Sequence, residues 1–165
     1  MKQFEPVDVT VNGYDFHIFP FPAFKAANMS GELVSVLGPA LGSLLTLLGN
    51  DEQEDSNLLD VNLEKSAPAI AGAFSSISGD KIEGLLKRLL ISGRNISVER
   101  DDEGATYVTE DALNEIFCGS VEGMFILAFH VIKTNFGGFF KKFENLSGVV
   151  GEKFQSVMTP KNTDI

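Results

Sequence analysis

The residues that come nearest to chemistry by type and spacing lie in one acidic run. Glu99-x-Asp101-x-Glu103-Gly104-x5-Glu110 reproduces the glycine and closing glutamate of an EF-hand loop, with Glu replacing Asp or Asn at two ligand positions. Calcium would need those oxygens held between two helices. Gly93 and the β-branched Ile96 and Val98 instead point to a strand entering the run, so a solvated hairpin loop is expected. His17, Cys118 and His130 are the nitrogen and sulfur metal ligands apart from methionine thioethers, and no two stand at a ligand spacing on one element. Cys118 and His130 could pair as nucleophile and base, but Gly119-Ser120 separates their helices and no third residue is specified to orient the base. The chain lacks G-x-S-x-G, a Walker A loop, G-x-G-x-x-G and H-E-x-x-H. No catalytic residue, metal or cofactor is therefore expected, and the chain reads as a binding protein rather than an enzyme.

The balance of charge narrows the partners. Thirteen basic residues against 23 acidic ones leave a net charge of -10, which argues against a phosphate-backbone binder. Many carboxylates fall in polar runs such as Asp51 to Asp55, the pattern of solvated surface. The single cysteine cannot form an intramolecular disulfide and the opening MKQFEPVDVTV has no secretory pattern, so an intracellular protein is expected. The most apolar window, Leu33 to Leu48, is broken by Gly38, Pro39 and Gly42 and is shorter than the roughly 20 residues of a membrane span. Neither nucleic acid nor membrane is an expected partner. Residues 130–165 differ from the rest, with five lysines against Glu144, Glu152 and Asp164.

The elements that position these residues can be read from periodicity. Val7, Val9 and Val11 alternate with polar residues, Asn12-Gly13 suits a type I′ turn, and Tyr14, Phe16 and Ile18 return on the same face, with His17 opposite Asp8 on the outer face. Phe19-Pro-Phe-Pro22 ends the strand and a helix starts near Pro22. Leucines and small apolar residues from Leu33 to Leu48 recur every three or four positions, with a kink or a junction of two helices expected at Gly38-Pro39. Residues 49–57 read as an acidic loop. Helices follow over 67–77 and 81–91, the second capped by Asp80 with Ile82, Leu85, Leu86, Leu89 and Leu90 inward. A second short hairpin spans 95–108, Thr109 caps another helix, and an apolar helix over 121–135 should end or bend at Gly137-Gly138. The fold class is thus α+β, predominantly α-helical, with an N-terminal β-hairpin and a second short hairpin packed on a helical core. Residues 1–150 form one domain and 151–165 a polar C-terminal tail.

Fourteen phenylalanines, with no Trp, are the remaining signal, and Phe136, Phe139, Phe140 and Phe143 crowd around Gly137-Gly138 beside lysines. The segment Asn114-Glu-Ile-Phe117, then Met124-Phe-Ile-Leu-Ala-Phe129, then Val131-Ile-Lys-Thr-Asn-Phe-Gly-Gly-Phe-Phe140 resembles the C-terminal helical region of bacteriophage tail assembly chaperones. Phe19-Pro-Phe-Pro-Ala-Phe24 and the Leu-rich segment after it are similar to the start of the same proteins. The resemblance implies a protein of the bacterial host cytoplasm that binds the tape-measure protein, keeps it soluble, helps recruit tail-tube subunits and is absent from the mature particle. A frameshift-extended form of the chain is a further partner it implies. Partner contacts are assigned to Leu37, Leu41, Leu44, Leu45, Leu48, Phe136, Phe139, Phe140 and Phe143. The alternative is a structural tube, baseplate or connector subunit retained in the particle.

Overall fold

The computed structural model describes residues 5–48, 72, 75, 77–101 and 104–138, with the side chains of 39–48 outside that description. Strands β1 (Val7–Val11) and β2 (Tyr14–Ile18) form the expected hairpin, paired Val11 with Tyr14, Val9 with Phe16 and Val7 with Ile18. Asn12 and Gly13 both take positive φ, 52° and 79°, the turn that carries a two-residue loop without splaying the strands. The second hairpin consists of β3 (Ile96–Arg100) and β4 (Gly104–Tyr107). What the periodicity does not reveal is that β2 pairs antiparallel with β3, Phe16 with Val98 and Ile18 with Ile96. The hairpins therefore fuse into one four-stranded sheet in the order β1-β2-β3-β4. Its inner face buries Val11, Phe16, Ile18, Ile96 and Val98, while Asp8, Thr10, Asp15 and Glu99 stand in solvent.

A single helix, α1 (Ala23–Leu48), runs through Pro39 without dividing into two. A proline within a helix removes one donor and strains one carbonyl, a local defect that the neighbouring turns can carry. The carbonyl of Pro22 accepts from the Ala26 amide at 2.9 Å, so the helix begins where the proline pair ends. Met29, Leu33 and Leu37 are its buried stripe. Two asparagines pin the proline-rich strap that leads into it. Asn95 exchanges bonds with Phe19 through its carbonyl (2.7 Å) and its side-chain amide (3.2 Å), and Asn135 Oδ1 accepts from the Phe21 amide at 2.6 Å.

Helix α2 (Gly79–Leu90) starts two residues earlier than the sequence reading. Ser78, extended at φ -61° and ψ 143°, is the N-cap, and Asp80 lies inside the first turn, where its charge meets the helix dipole instead of capping an amide. Arg88 joins α2 to α1 through Glu32 and Asn28. Helix α3 (Glu110–Ile116) is capped as expected, the Thr109 hydroxyl accepting from the Ala112 amide at 3.2 Å. Residues 121–138 form α4, which is helical as far as Gly138; whether it ends or bends at Gly137-Gly138 lies outside the described residues. Its apolar circumference is explained by burial of Leu127, Ala128, Val131, Ile132 and Phe136. Phe16 stacks on Phe117 with centroids 6.1 Å apart, and Phe21 packs on Phe136 at 6.2 Å. Most of the expected 67–77 helix, the acidic loop at 49–57 and the boundary at 150 lie outside the described residues.

Candidate functional site

Of the residues assigned to partner contact, Leu37 and Phe136 prove to be core. They are 8% and 3% exposed, so neither offers a surface to another chain. The reason is geometric: Leu37 continues the Met29-Leu33 stripe that faces the interior, and Phe136 closes the core beside Phe21. The side chains of Leu41, Leu44, Leu45, Leu48, Phe139, Phe140 and Phe143 lie outside the described residues.

An apolar groove opens elsewhere, between α2, α3 and the start of α4. Ile82 and Leu86 from α2, Ile91 after it, and Val121, Met124 and Phe125 from α4 supply half-buried or exposed walls over a floor of Leu90 and Leu113. The volume is about 280 Å³, at the small end of the roughly 300–1,000 Å³ of small-molecule sites. Leu85, Leu89 and Leu90 are covered completely, while Ile82 and Leu86, between them on the same face of α2, are only half covered. All five face inward as expected: Leu85, Leu89 and Leu90 are sealed, and Ile82 and Leu86 pack against the core but stay half open to the groove.

Charge lies on the rim. Lys87 Nζ stands 2.8 Å from Glu83 Oε1 within α2 and 3.2 Å from Glu110 Oε1 at the start of α3, tying the two walls together. The Glu83 bond, then the Glu110 bond, hold the Lys87 ammonium above its ordinary pKa, and Lys87 in turn lowers the Glu83 carboxyl. An apolar trough with charged edges suits the apolar face of an amphipathic helix, anchored at three- and four-residue spacing.

The chemically suggestive residues fall apart in space. Glu99 lies in β3 opposite Ala105, Gly104 opens β4 with φ 68°, and Glu110 begins α3, so the EF-hand spacing sits on a hairpin and not between helices. Among the described residues no group of three His, Cys, Asp or Glu side chains could hold a metal ion. His17 is clasped on the outer sheet face, Nδ1 2.6 Å from Asp8 and Nε2 3.1 Å from Glu99, and the Asp8 bond leads the effects that raise its pKa. Cys118 is exposed in the turn after α3, and His130 is partly covered on α4, its pKa lowered first by burial and then by Lys133.

A model of the phage tail assembly chaperone protein family, TAC, matches residues 12–148. The chain belongs to that family. No curated protein and no solved structure matches it significantly. The matched stretch of this chaperone opens at the Asn12-Gly13 turn and takes in α1, the groove and the phenylalanine-rich segment from Phe136 to Phe143. Asn12 is more than a turn residue. A Cβ added to Gly123 would lie 2.6 Å from Asn12 Oδ1 and 2.9 Å from the Phe117 ring, so the hairpin tip seats directly on α4 beside the groove. Among the described residues no helix is long and apolar enough to cross a membrane.

The groove residues Ile82, Leu86, Val121, Met124 and Phe125 were missed as a site. No signal in the sequence separates them from core positions, because Ile82 and Leu86 share one face of α2 with Leu85, Leu89 and Leu90.

Proposed function

We propose that this tail assembly chaperone binds the tape-measure protein, keeps it soluble and helps recruit tail-tube subunits, acting in the host cytoplasm by non-catalytic binding and leaving before the particle is complete. The family match carries this reading. The half-covered trough between α2, α3 and α4 supports it, because a long helical client has a repeating apolar face that such a trough could shelter. A frameshift-extended form of the chain would act through the same surface.

Co-expression with the tape-measure protein and affinity capture tests the proposal. The client should remain soluble and be retained, and Leu86→Asp should lose it while the chaperone stays folded. A client equally soluble alone, with nothing retained, overturns the reading. Mass spectrometry of purified particles addresses the departure step: a stoichiometric amount of the chain there would make it a structural subunit.

A further inference from the structure

The seam between the two hairpins is the shortest ladder in the sheet. Three pairs join β2 to β3, Phe16 with Val98, His17 with Ser97 and Ile18 with Ile96, against five between β1 and β2 and four between β3 and β4. No turn enforces it, because α1 and α2 separate the two strands in the chain. Inside, the buried Phe16, Ile18, Ile96 and Val98 close the seam. On the outer face, alternation places Asp8 on β1, Asp15 and His17 on β2, Ser97 and Glu99 on β3 and Tyr107 on β4. The Thr10 hydroxyl donates to Asp15 at 2.6 Å. Among the described residues these outward positions hold three carboxylates and no lysine or arginine, so His17 is the group there that can carry positive charge.

His17 reaches both neighbouring strands at once. Its Nδ1 lies 2.6 Å from Asp8 Oδ1 within the hairpin, and its Nε2 lies 3.1 Å from Glu99 Oε1 across the seam. A neutral imidazole has one N–H and one lone pair, so one of the two contacts would set a lone pair against a carboxylate oxygen. Only the doubly protonated ring donates to both. We propose that His17 is a proton-operated tie between the hairpins: with both protons it bridges Asp8 and Glu99 across β2, and loss of one proton cuts the Glu99 bond while sparing the Asp8 bond. The remaining proton stays on Nδ1 because the Asp8 contact is the shorter, and that contact is also the first cause of the raised His17 pKa, opposed by burial and joined by Glu99. Deprotonation therefore loosens the seam and leaves the first hairpin intact. The Glu99 side chain is 58% exposed and that of His17 22%, so screening holds the bond to surface strength, about a two- to fivefold change in how often the seam opens.

Ring-nitrogen NMR of the full chain reads the proton count directly. At pH 6.5 more than half of His17 should be doubly protonated and less than half of His130, whose pKa burial lowers. Above its transition His17 should keep its proton on Nδ1. Double-mutant cycles then separate the two bonds. The coupling of His17→Ala with Glu99→Ala, about two- to fivefold in the unfolding equilibrium at pH 6, should vanish by pH 9, whereas that of His17→Ala with Asp8→Ala should persist in part. Amide exchange, corrected for its intrinsic dependence on pH, should quicken between pH 6 and pH 9 at residues 96–98 relative to residues 7–11. A His17 ring that titrates at or below pH 6.5, or a neutral ring protonated on Nε2, overturns the proposal, as does a Glu99 coupling that holds to pH 9. None of these readouts involves the client, so the tie and the tape-measure reading fail separately.

Discussion

The sheet-facing core and the groove are built from the same residue types and differ in how far they are closed. Phe16, Ile18, Leu33, Leu85, Leu89 and Leu127 are essentially sealed, whereas Ile82, Leu86, Met124 and Phe125 are covered on one side. Helix α2 belongs to both regions, and neighbouring positions on its one apolar face, Leu85 and Leu86, are sealed and half open respectively. Apolar content therefore does not distinguish the groove from the core in this chaperone; incomplete closure does.

Substitutions can set the two regions apart. Phe16→Ala should cost about 3–5 kcal/mol in chemical denaturation, since the ring is fully buried and stacked on Phe117. Client capture per folded molecule should survive it. Gly93→Ala should cost about 1–3 kcal/mol, because the new methyl would lie 2.6 Å from Asn95 Oδ1 and Lys25 Nζ and 2.8 Å from the Phe21 ring. An unchanged melting temperature would show that the strap is looser than its contacts imply. Leu86→Ser, at a half-buried position lining the groove, should cost about 1 kcal/mol by lost half-burial, yet weaken capture far more than Phe16→Ala. Equal losses of stability and capture in all three variants would erase the distinction between core and groove.

Removal of the Thr109 cap by Thr109→Ala should cost about 1 kcal/mol, and a host-guest peptide of 107–118 should lose helicity in parallel. The smallest effect concerns the outer sheet face. Asp8 and Glu99 raise the pKa of His17, so its contribution is full below the unfolded value of 6.5 and is lost as pH rises through the raised folded value. His130 acts oppositely: burial lowers its pKa, so its contribution is present above 6.5 and is lost as pH falls towards the folded value. Stability measured against pH for the wild type minus His17→Asn isolates the first. That difference should shrink from pH 6 to pH 8, and a difference that grows instead would mean the clasp holds neutral imidazole.

Local patterns were legible because short-range sterics and burial decide them. The alternation at Val7 to Ile18, the Asn12-Gly13 turn and the Thr109 cap each need only a few neighbouring residues, and each stands as read. Ser78 in place of Asp80 as the cap of α2, and the continuity of α1 through Pro39, were not legible in the local residues. The site was less legible. Leu37 and Phe136 look like surface anchors in a greasy sequence, but a sequence shows how apolar a segment is and not how much covering the rest of the chain supplies.

The sequence by itself determined the family, the α+β class, the first hairpin with its register, and the acidic character of the chain, because these follow from residue order and composition. Only the tertiary structure decided that two hairpins distant in the chain join through β2 and β3, that Asn95 and Asn135 hold the proline strap, and that Ile82 and Leu86 on the apolar face of α2 are left half open at a groove. Those outcomes depend on contacts between residues dozens of positions apart, where the free energy belongs to the closed arrangement as a whole and to no segment of it alone.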